Sequence, residues 1–363
     1  MENKLYNLTA PQKSIWNTEL FFNGSNINNI CGTINLYEQI DFDILKKSLD
    51  LIISQNDNFH TNFIIKDGDV FQYFKDEIEY KIDIIDITNE EELHELEKNT
   101  MSHIFDILNS DLFNIKIFRY PDLTGGVIFN IHHIISDSWT LGLIAKEIVS
   151  NYYLLSNNTK IEPKNYSYID YIDSEKKYIN SQKSIKDKEF WSNYLENRPE
   201  SVTIPNNINS FNNDFSSAAN RKLFELDNKY INKINNFCKE YNISLFCFFM
   251  AIYSIYISKV NNLNDFILGT PILNRTNIAQ KNTMGMFINT IPIRIKIEDN
   301  SNIIDFLNDL SLNLTSILRH QKHSYQHILE DLRKEDPKIP NLYQVLLSYQ
   351  ITKIGTDEYI KQS

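Results

Sequence analysis

The stretch Asn130–Trp139 reads NIHHIISDSW: two adjacent histidines close an apolar run, and an aspartate follows four residues after the second. Imidazole changes charge near neutral pH, so His132 and His133 bring proton-transfer chemistry, and Asp137 brings a carboxylate able to orient a ring or pair with a cation. Metal binding fits poorly. Successive strand residues point to opposite faces, so the two rings cannot readily grip one ion, and the helical H-E-x-x-H spacing that would bring two rings together is absent. No metal is expected. The pattern suits one general base beside one structural ring, at a strand-to-helix junction of the kind where ligands gather in α/β folds. Asp137, just ahead of a helix, can equally serve as its N-cap.

The elements that must position this cluster are legible from periodicity. GVIFNIHHI is a strand joined to a second strand, LFNIKIFRY, through the turn-rich PDLTGG. Beyond the histidines, Leu141, Ile144, Ala145, Ile148, Tyr152 and Leu155 line one side of a helix. Upstream, Gln12–Phe22 is a helix opened after Pro11, and Phe42, Leu45, Leu49 and Ile52 share one face of another. TNFIIKDGDVFQYFK is a hairpin turning at Asp67-Gly68, and the acidic TNEEELHELEKN opens a further helix. The second half repeats the alternation. A helix from about Asp227 precedes an apolar helix at Ser244–Val260. The strands FILGTPIL and MGMFINTIPIRIKI flank a polar loop, NRTNIAQKNT. A helix then runs from Asn302 to about His320, and YQVLLSYQI is a last strand. The expected fold class is α/β (α+β), with two lobes of mixed sheet flanked by helices: residues 1–175, then 222–363, joined by the lysine- and asparagine-rich stretch 176–221.

At 363 residues and 42% hydrophobic composition the chain can bury two cores. A net charge of −11 argues against a general phosphate-binding surface, so no nucleic-acid partner is expected. Cys31, Cys238 and Cys247 lack metal spacing and read as reduced residues of a cytoplasmic protein. The N-terminal MENKLYNLTAPQKS is too polar for a signal peptide, and the longest apolar stretch, Ser244–Ile257, is too short for a membrane span, so no membrane partner is expected.

The histidine segment resembles the HHxxxDG signature of nonribosomal peptide synthetase condensation domains, relatives of chloramphenicol acetyltransferase. Further matches follow in the family's order: LTAPQKSIW, NDNFHTNF, YIDYI, FWSNYL, MGMFINTIPIR, HQKHSYQHIL and NLYQVLLSYQ. The resemblance implies two acetyltransferase-like lobes in a V-shaped pseudo-dimer, with a tunnel admitting phosphopantetheine arms from donor and acceptor peptidyl carrier proteins. An adjacent adenylation domain is a further implied partner. The implied reaction is amide formation, the acceptor amine attacking the donor thioester, with no metal or tightly bound cofactor.

Carried over by position, His133 matches the catalytic second histidine, His132 the structural first, and Asp137 the motif aspartate that pairs with an arginine. Arg275, in NRT, is the candidate partner, with Arg294 the alternative. Ser138 stands where the signature has glycine, and its backbone N–H at the helix start is a candidate oxyanion donor. Asn289, Thr290, Tyr349 and Gln350 are candidates to line the tunnel, with satisfied sheet-edge hydrogen bonds as their alternative use. Trp16 and Trp139 read as core. Asn56 and His60 depart from the family's second motif. Relatives continue through further strands and a closing helix, so the second lobe is expected to be incomplete. The intact HH and D argue against the cyclising branch of the family. The alternatives to a condensation enzyme are a free-standing acyltransferase using acyl-coenzyme A and a non-catalytic carrier-docking module.

Overall fold

The computed structural model describes residues 4–204, 221–298 and 300–350. These form two compact units: the described residues through Ile179 with Arg275–Ile288, and the described residues of Asn180–Asn274 with Asn289–Gln350. Both are mixed α/β, with sheets flanked by helices.

In the first unit, β1 (Tyr6–Asn7), α1 (Ala10–Phe21), β2 (Asn29–Leu36), α2 (Phe42–Gln55), β3 (Thr61–Lys66), β4 (Asp69–Phe74), β5 (Asp83–Asp86), α3 (Glu90–Met101), β6 (Phe113–Arg119), β7 (Gly125–His132), α4 (Ser138–Ser156) and α5 (Tyr168–Ile179) follow one another. The strands make a three-stranded sheet, β1-β4-β3, and a four-stranded sheet, β2-β7-β6-β5. β3 and β4 turn through Asp67 (φ 54°) and Gly68 (φ 88°), the two positive φ values a tight hairpin requires. β7 lies antiparallel between β2 and β6 and is buried along its whole length, which explains its nearly unbroken apolar run. Its one amide, Asn130, is satisfied at 2.8 Å by the Thr100 carbonyl. This central strand delivers the histidine pair. Leu45, Leu49, Ile52 and Ile53 of α2 and Ile144 and Ile148 of α4 complete its core.

The second unit contains α6 (Gln182–Tyr194), α7 (Asn228–Glu240), α8 (Leu245–Asn261) and β8 (Asp265–Ile272). After the short α9 (Ile278–Asn282), which belongs to the first unit, it continues with β9 (Asn289–Lys296), α10 (Ile303–Arg319) and α11 (Tyr325–Glu335). β8 and β9 pair antiparallel over a core that includes Phe266, Leu268, Ile293 and Ile317. Among the described residues no single helix is long and apolar enough to cross a membrane.

Four features differ from the sequence reading. The helices α5 and α6 extend into the stretch 176–221 read as a connection; its residues 205–220 lie outside the described residues. Arg275–Ile288, read as part of the second lobe, packs with the first unit. The strand MGMFINTIPIRIKI begins only at Asn289. Ahead of it the backbone groups are taken by side chains instead of a ladder: Tyr168 donates to the Met286 carbonyl and Phe287 N–H donates to Asp137. Gly285 sits at φ 145°, where a Cβ would meet the Tyr168 ring at 2.3 Å, so only glycine fits. Finally, YQVLLSYQI, whose Ile351 lies outside the described residues, makes an isolated parallel bridge between Leu346 and Gly269 in place of a strand. The next ladder donor would be residue 271, a proline with no N–H, and the Leu347 carbonyl is taken instead by the Thr270 hydroxyl at 2.8 Å.

Glu175 of α5 accepts from Ala10 N–H at 3.1 Å and so caps the first turn of α1 from another helix. Burial pushes its carboxyl up to about 7, against the opposing pull of Ala10, Tyr171 and Lys13. A raised folded-state value means that the folded chain holds this proton more tightly than the unfolded chain. The contribution to stability is complete below the ordinary value of 4.5 and is lost as pH rises through about 7. Melting curves of Glu175→Gln should therefore fall less steeply than wild type between about pH 5 and pH 8; equal slopes would contradict the assignment.

Candidate active site

His132 ends β7, and His133 opens the 3-10 turn His133–Ile135 that leads to α4. Their neighbours fix the two rings in opposite tautomers. His132 Nδ1 accepts from Ile134 N–H at 3.1 Å, so its proton sits on Nε2, facing Glu19 Oε2 at 3.4 Å. His133 Nδ1 lies 2.8 Å from the Ser136 carbonyl, which can only accept, so the proton is on Nδ1 and the lone pair on Nε2. Among the described residues His133 Nε2 has no hydrogen-bond partner. His132 is buried, whereas His133 keeps part of its surface open although most of the ring is enclosed. Burial pushes the His133 imidazole below its ordinary value; Asp137 and the Ser136 carbonyl oppose this, and His132 adds to it. A ring that is neutral at pH 7, with a fixed lone pair, can take a proton from a bound nucleophile.

Asp137 is fully buried and caps α4. Oδ1 accepts from Thr140 N–H at 2.8 Å and from its hydroxyl at 3.0 Å. Oδ2 accepts from Phe287 N–H at 3.1 Å, and Arg275 Nη2 reaches both oxygens at 3.0 and 3.1 Å. Arg275 also donates through Nη1 to the carbonyls of Gln280 and Thr283, each at 2.5 Å, and its guanidinium lies 3.8 Å from the centre of the Phe287 ring. Burial pulls Arg275 below its ordinary value and Asp137 opposes that. With all its acceptor capacity committed inward, the Asp137 carboxylate serves structure. Arg294, the alternative partner, pairs with Asp265 at 2.6 Å in the second unit.

Ser138 is the first residue of α4 and half-buried, so its N–H is one of the unsatisfied donors of a helix start. The other sequence candidates belong to the second unit. The Asn289 amide donates to the Gln321 carbonyl at 3.2 Å and accepts from Tyr325 N–H at 3.4 Å. Thr290 hydrogen-bonds Tyr343. Tyr349 stacks on Phe249, and Gln350 is exposed. The Trp16 ring packs against the first core, and Trp139 donates to the Lys281 carbonyl at 2.9 Å. Among the described residues no cluster of His, Cys, Asp or Glu is arranged to hold a metal ion.

Sequence reasoning missed three supports of the site. Glu19 Oε2 receives the Asn28 amide at 2.7 Å and faces His132; burial opposes its ionisation, but the hydrogen bonds from His132 and Asn28 prevail and lower its carboxyl below the usual value. The available signal was the spacing of Gln12 and Glu19, two turns apart on one helix face. Asp57, in NDNFH, caps α5 through Tyr168 N–H at 2.9 Å and Ile169 N–H at 3.3 Å. Beside it, Asn56 donates to the Ile52 carbonyl at 2.7 Å, and the His60 ring nitrogens lie 3.0 and 3.1 Å from the Lys75 and Ile53 carbonyls.

The family profile of the condensation domain matches residues 2–362. Over 99% of its length the chain is 28% identical to surfactin synthase subunit 1 of Bacillus subtilis (strain 168), of which it spans 10%. The first condensation domain of the calcium-dependent antibiotic synthetase, in complex with a substrate analogue, superposes with a TM-score of 0.82. Its sequence is 14% identical, and the match covers 97% of this chain and 81% of that one. A four-domain nonribosomal peptide synthetase bound to AMP and glycine gives a TM-score of 0.81 at 20% identity, over 99% of this chain and 28% of that one. These structures share the fold.

Breaking a buried ion pair leaves one uncompensated charge, a loss of about 3–5 kcal/mol. Arg275→Ala and Asp137→Asn should each lower the melting temperature by several degrees. The double variant Asp137→Asn/Arg275→Met should lose less than the sum of the two. Wild-type melting in both singles would refute the structural role of the pair.

Proposed function

The chain belongs to the condensation-domain family, and from that premise we propose that it forms amide bonds between two carrier-bound substrates. In this reading a donor peptidyl carrier protein presents an acyl or peptidyl thioester on its phosphopantetheine arm, and an acceptor carrier presents an aminoacyl thioester. The acceptor nitrogen attacks the donor carbonyl, the new C–N bond forms, the C–S bond breaks, and the donor arm leaves as the thiol. The chain supplies no cofactor of its own and works beside an adenylation domain in a cytoplasmic assembly, consistent with three unpaired cysteines.

One observation carries the proposal: the His133 ring, partly open, with Nδ1–H held by the Ser136 carbonyl and Nε2 left as the base. His133 Nε2 accepts a proton from the attacking amine as the tetrahedral species forms, and passes it to the departing thiolate. His132 and the Asp137–Arg275 pair hold the backbone that carries this ring. Ser138 N–H is the proposed donor to the developing oxyanion. Asn289, Thr290, Tyr349 and Gln350 remain proposed substrate-facing positions in the second unit, with the amide of Asn289 already engaged internally.

The test is a condensation assay with loaded donor and acceptor carriers, scored by mass spectrometry of the acceptor arm. Wild type should form the amide, and His133→Gln should fall by about 10²–10⁴-fold. Product from acyl-coenzyme A without a donor carrier would favour the free-standing acyltransferase, and no product with either donor would favour a docking module. Because the His133 value lies below the ordinary 6.5, the neutral base accumulates as pH rises through a limb below about pH 6.5. His133→Gln should lose that limb and keep the limb of the acceptor amine near pH 8.

A further inference from the structure

We propose that Glu19 is a positioning residue for the His133 base, acting through His132 and Asn28; the proposal rests on the amide-forming reading above. One carboxylate oxygen gathers two buried donors, the Asn28 amide at 2.7 Å and His132 Nε2 at 3.4 Å. The same two residues grip the main chain on both sides of the His133 side chain. Its own N–H donates to the Asn28 carbonyl at 2.7 Å, and the following N–H, that of Ile134, donates to His132 Nδ1 at 3.1 Å. The Ile134 carbonyl is taken in turn by Gln12 at 3.2 Å, from the same face of α1 as Glu19. Glu19 therefore closes a ring of contacts around the peptide units that aim His133.

The physical consequence follows from burial. Without the carboxylate, His132 Nε2–H and the Asn28 amide lose their acceptor where water is scarce, and each buried donor left unpaired is costly. His132 can relieve it by rotating or by moving its proton to Nδ1. Either response withdraws the acceptor from Ile134 N–H and releases the peptide that carries His133. A displacement of about 1 Å at a catalytic group lowers turnover by as much as 10²-fold. Glu19 touches no reacting atom, so its loss should appear in kcat and leave KM nearly unchanged.

The experiment labels the histidines of the full chain with ¹⁵N and reads ring tautomers by long-range proton–nitrogen correlation, beside the carrier-loaded assay. Wild type should give an Nε2–H signature for His132 and Nδ1–H for His133. Glu19→Leu should erase the His132 signature and lower kcat by about 10–100-fold, with KM within about twofold. Glu19→Gln, which keeps an acceptor oxygen, should preserve the opposite tautomers and recover most of the rate. A Glu19→Leu chain with wild-type tautomers and wild-type kcat, whatever its melting temperature, would overturn the proposal. Should that variant fail to fold, Glu19→Asp decides: one methylene shorter, it cannot hold both donors, and wild-type tautomers and kcat there would equally overturn it. The spectra need no substrate. Tautomers that respond to Glu19 in a chain inactive with loaded carriers would sink the amide-forming reading alone; insensitive tautomers in an active chain would sink this one alone.

Discussion

A carboxylate with no access to solvent must be satisfied from within the protein, and Asp137 is such a group. Meeting that demand organises much of the first unit. Thr140 supplies two donors from the first turn of α4, so the helix starts where the aspartate stands. Phe287 and Arg275 supply the rest, so Arg275–Ile288 belongs to this unit although its sequence neighbours β8 and β9 belong to the other. Arg275 brings its own demands; the carbonyls of Gln280, Thr283 and Gly285 meet those of its two terminal nitrogens, while its buried Nε has no partner among the described residues. Gly285 in turn presses its backbone onto Tyr168, which anchors α5. A single buried charge thus sets the helix start that follows the histidines.

The histidines divide their labour by the same accounting of donors and acceptors. Each ring has one proton and one lone pair in its neutral form, and the backbone decides where they go. His132 spends both on the protein, accepting from Ile134 and facing Glu19. His133 spends only its proton, on Ser136. In the proposed reaction, the difference between the structural ring and the reactive one is therefore one unspent lone pair.

Much of this was legible in the sequence. The apolar run ending in HH required a buried strand, but the strand stops at His132 and His133 opens a 3-10 turn, so the two rings find different partners through the turn and not through strand alternation. Asp137 had the composition of an N-cap and is one. The hairpin at Asp67-Gly68 and the core face of α2 follow from period alone. What periodicity could not reach were contacts distant in the chain: Glu19 is 113 residues from His132, and Gln12 is 122 from Ile134. Both are polar residues on a buried helix face, which reads in sequence as weak amphipathicity. The segment ahead of Asn289 looked like strand because its composition is apolar, yet its hydrogen bonds go to side chains that only the fold brings near.

The energetic weights explain why so modest a base suffices for the proposed reaction. Burial lowers the basicity of His133, which would handicap a reaction that needed a strong base. A thioester is already activated and an amine near its own pKa of about 8 is partly neutral at pH 7, so little proton affinity is required. Alignment of the two reactants can contribute about 7–11 kcal/mol. A positioned base contributes 10²–10⁴-fold, about 3–5 kcal/mol, and a helix start such as that at Ser138 about 0.3–1 kcal/mol toward a nearby anion. Placement outweighs proton affinity. A protein built on these terms gains more from rigidly aiming a weak base than from strengthening it, and the buried groups around His133 are committed to aim.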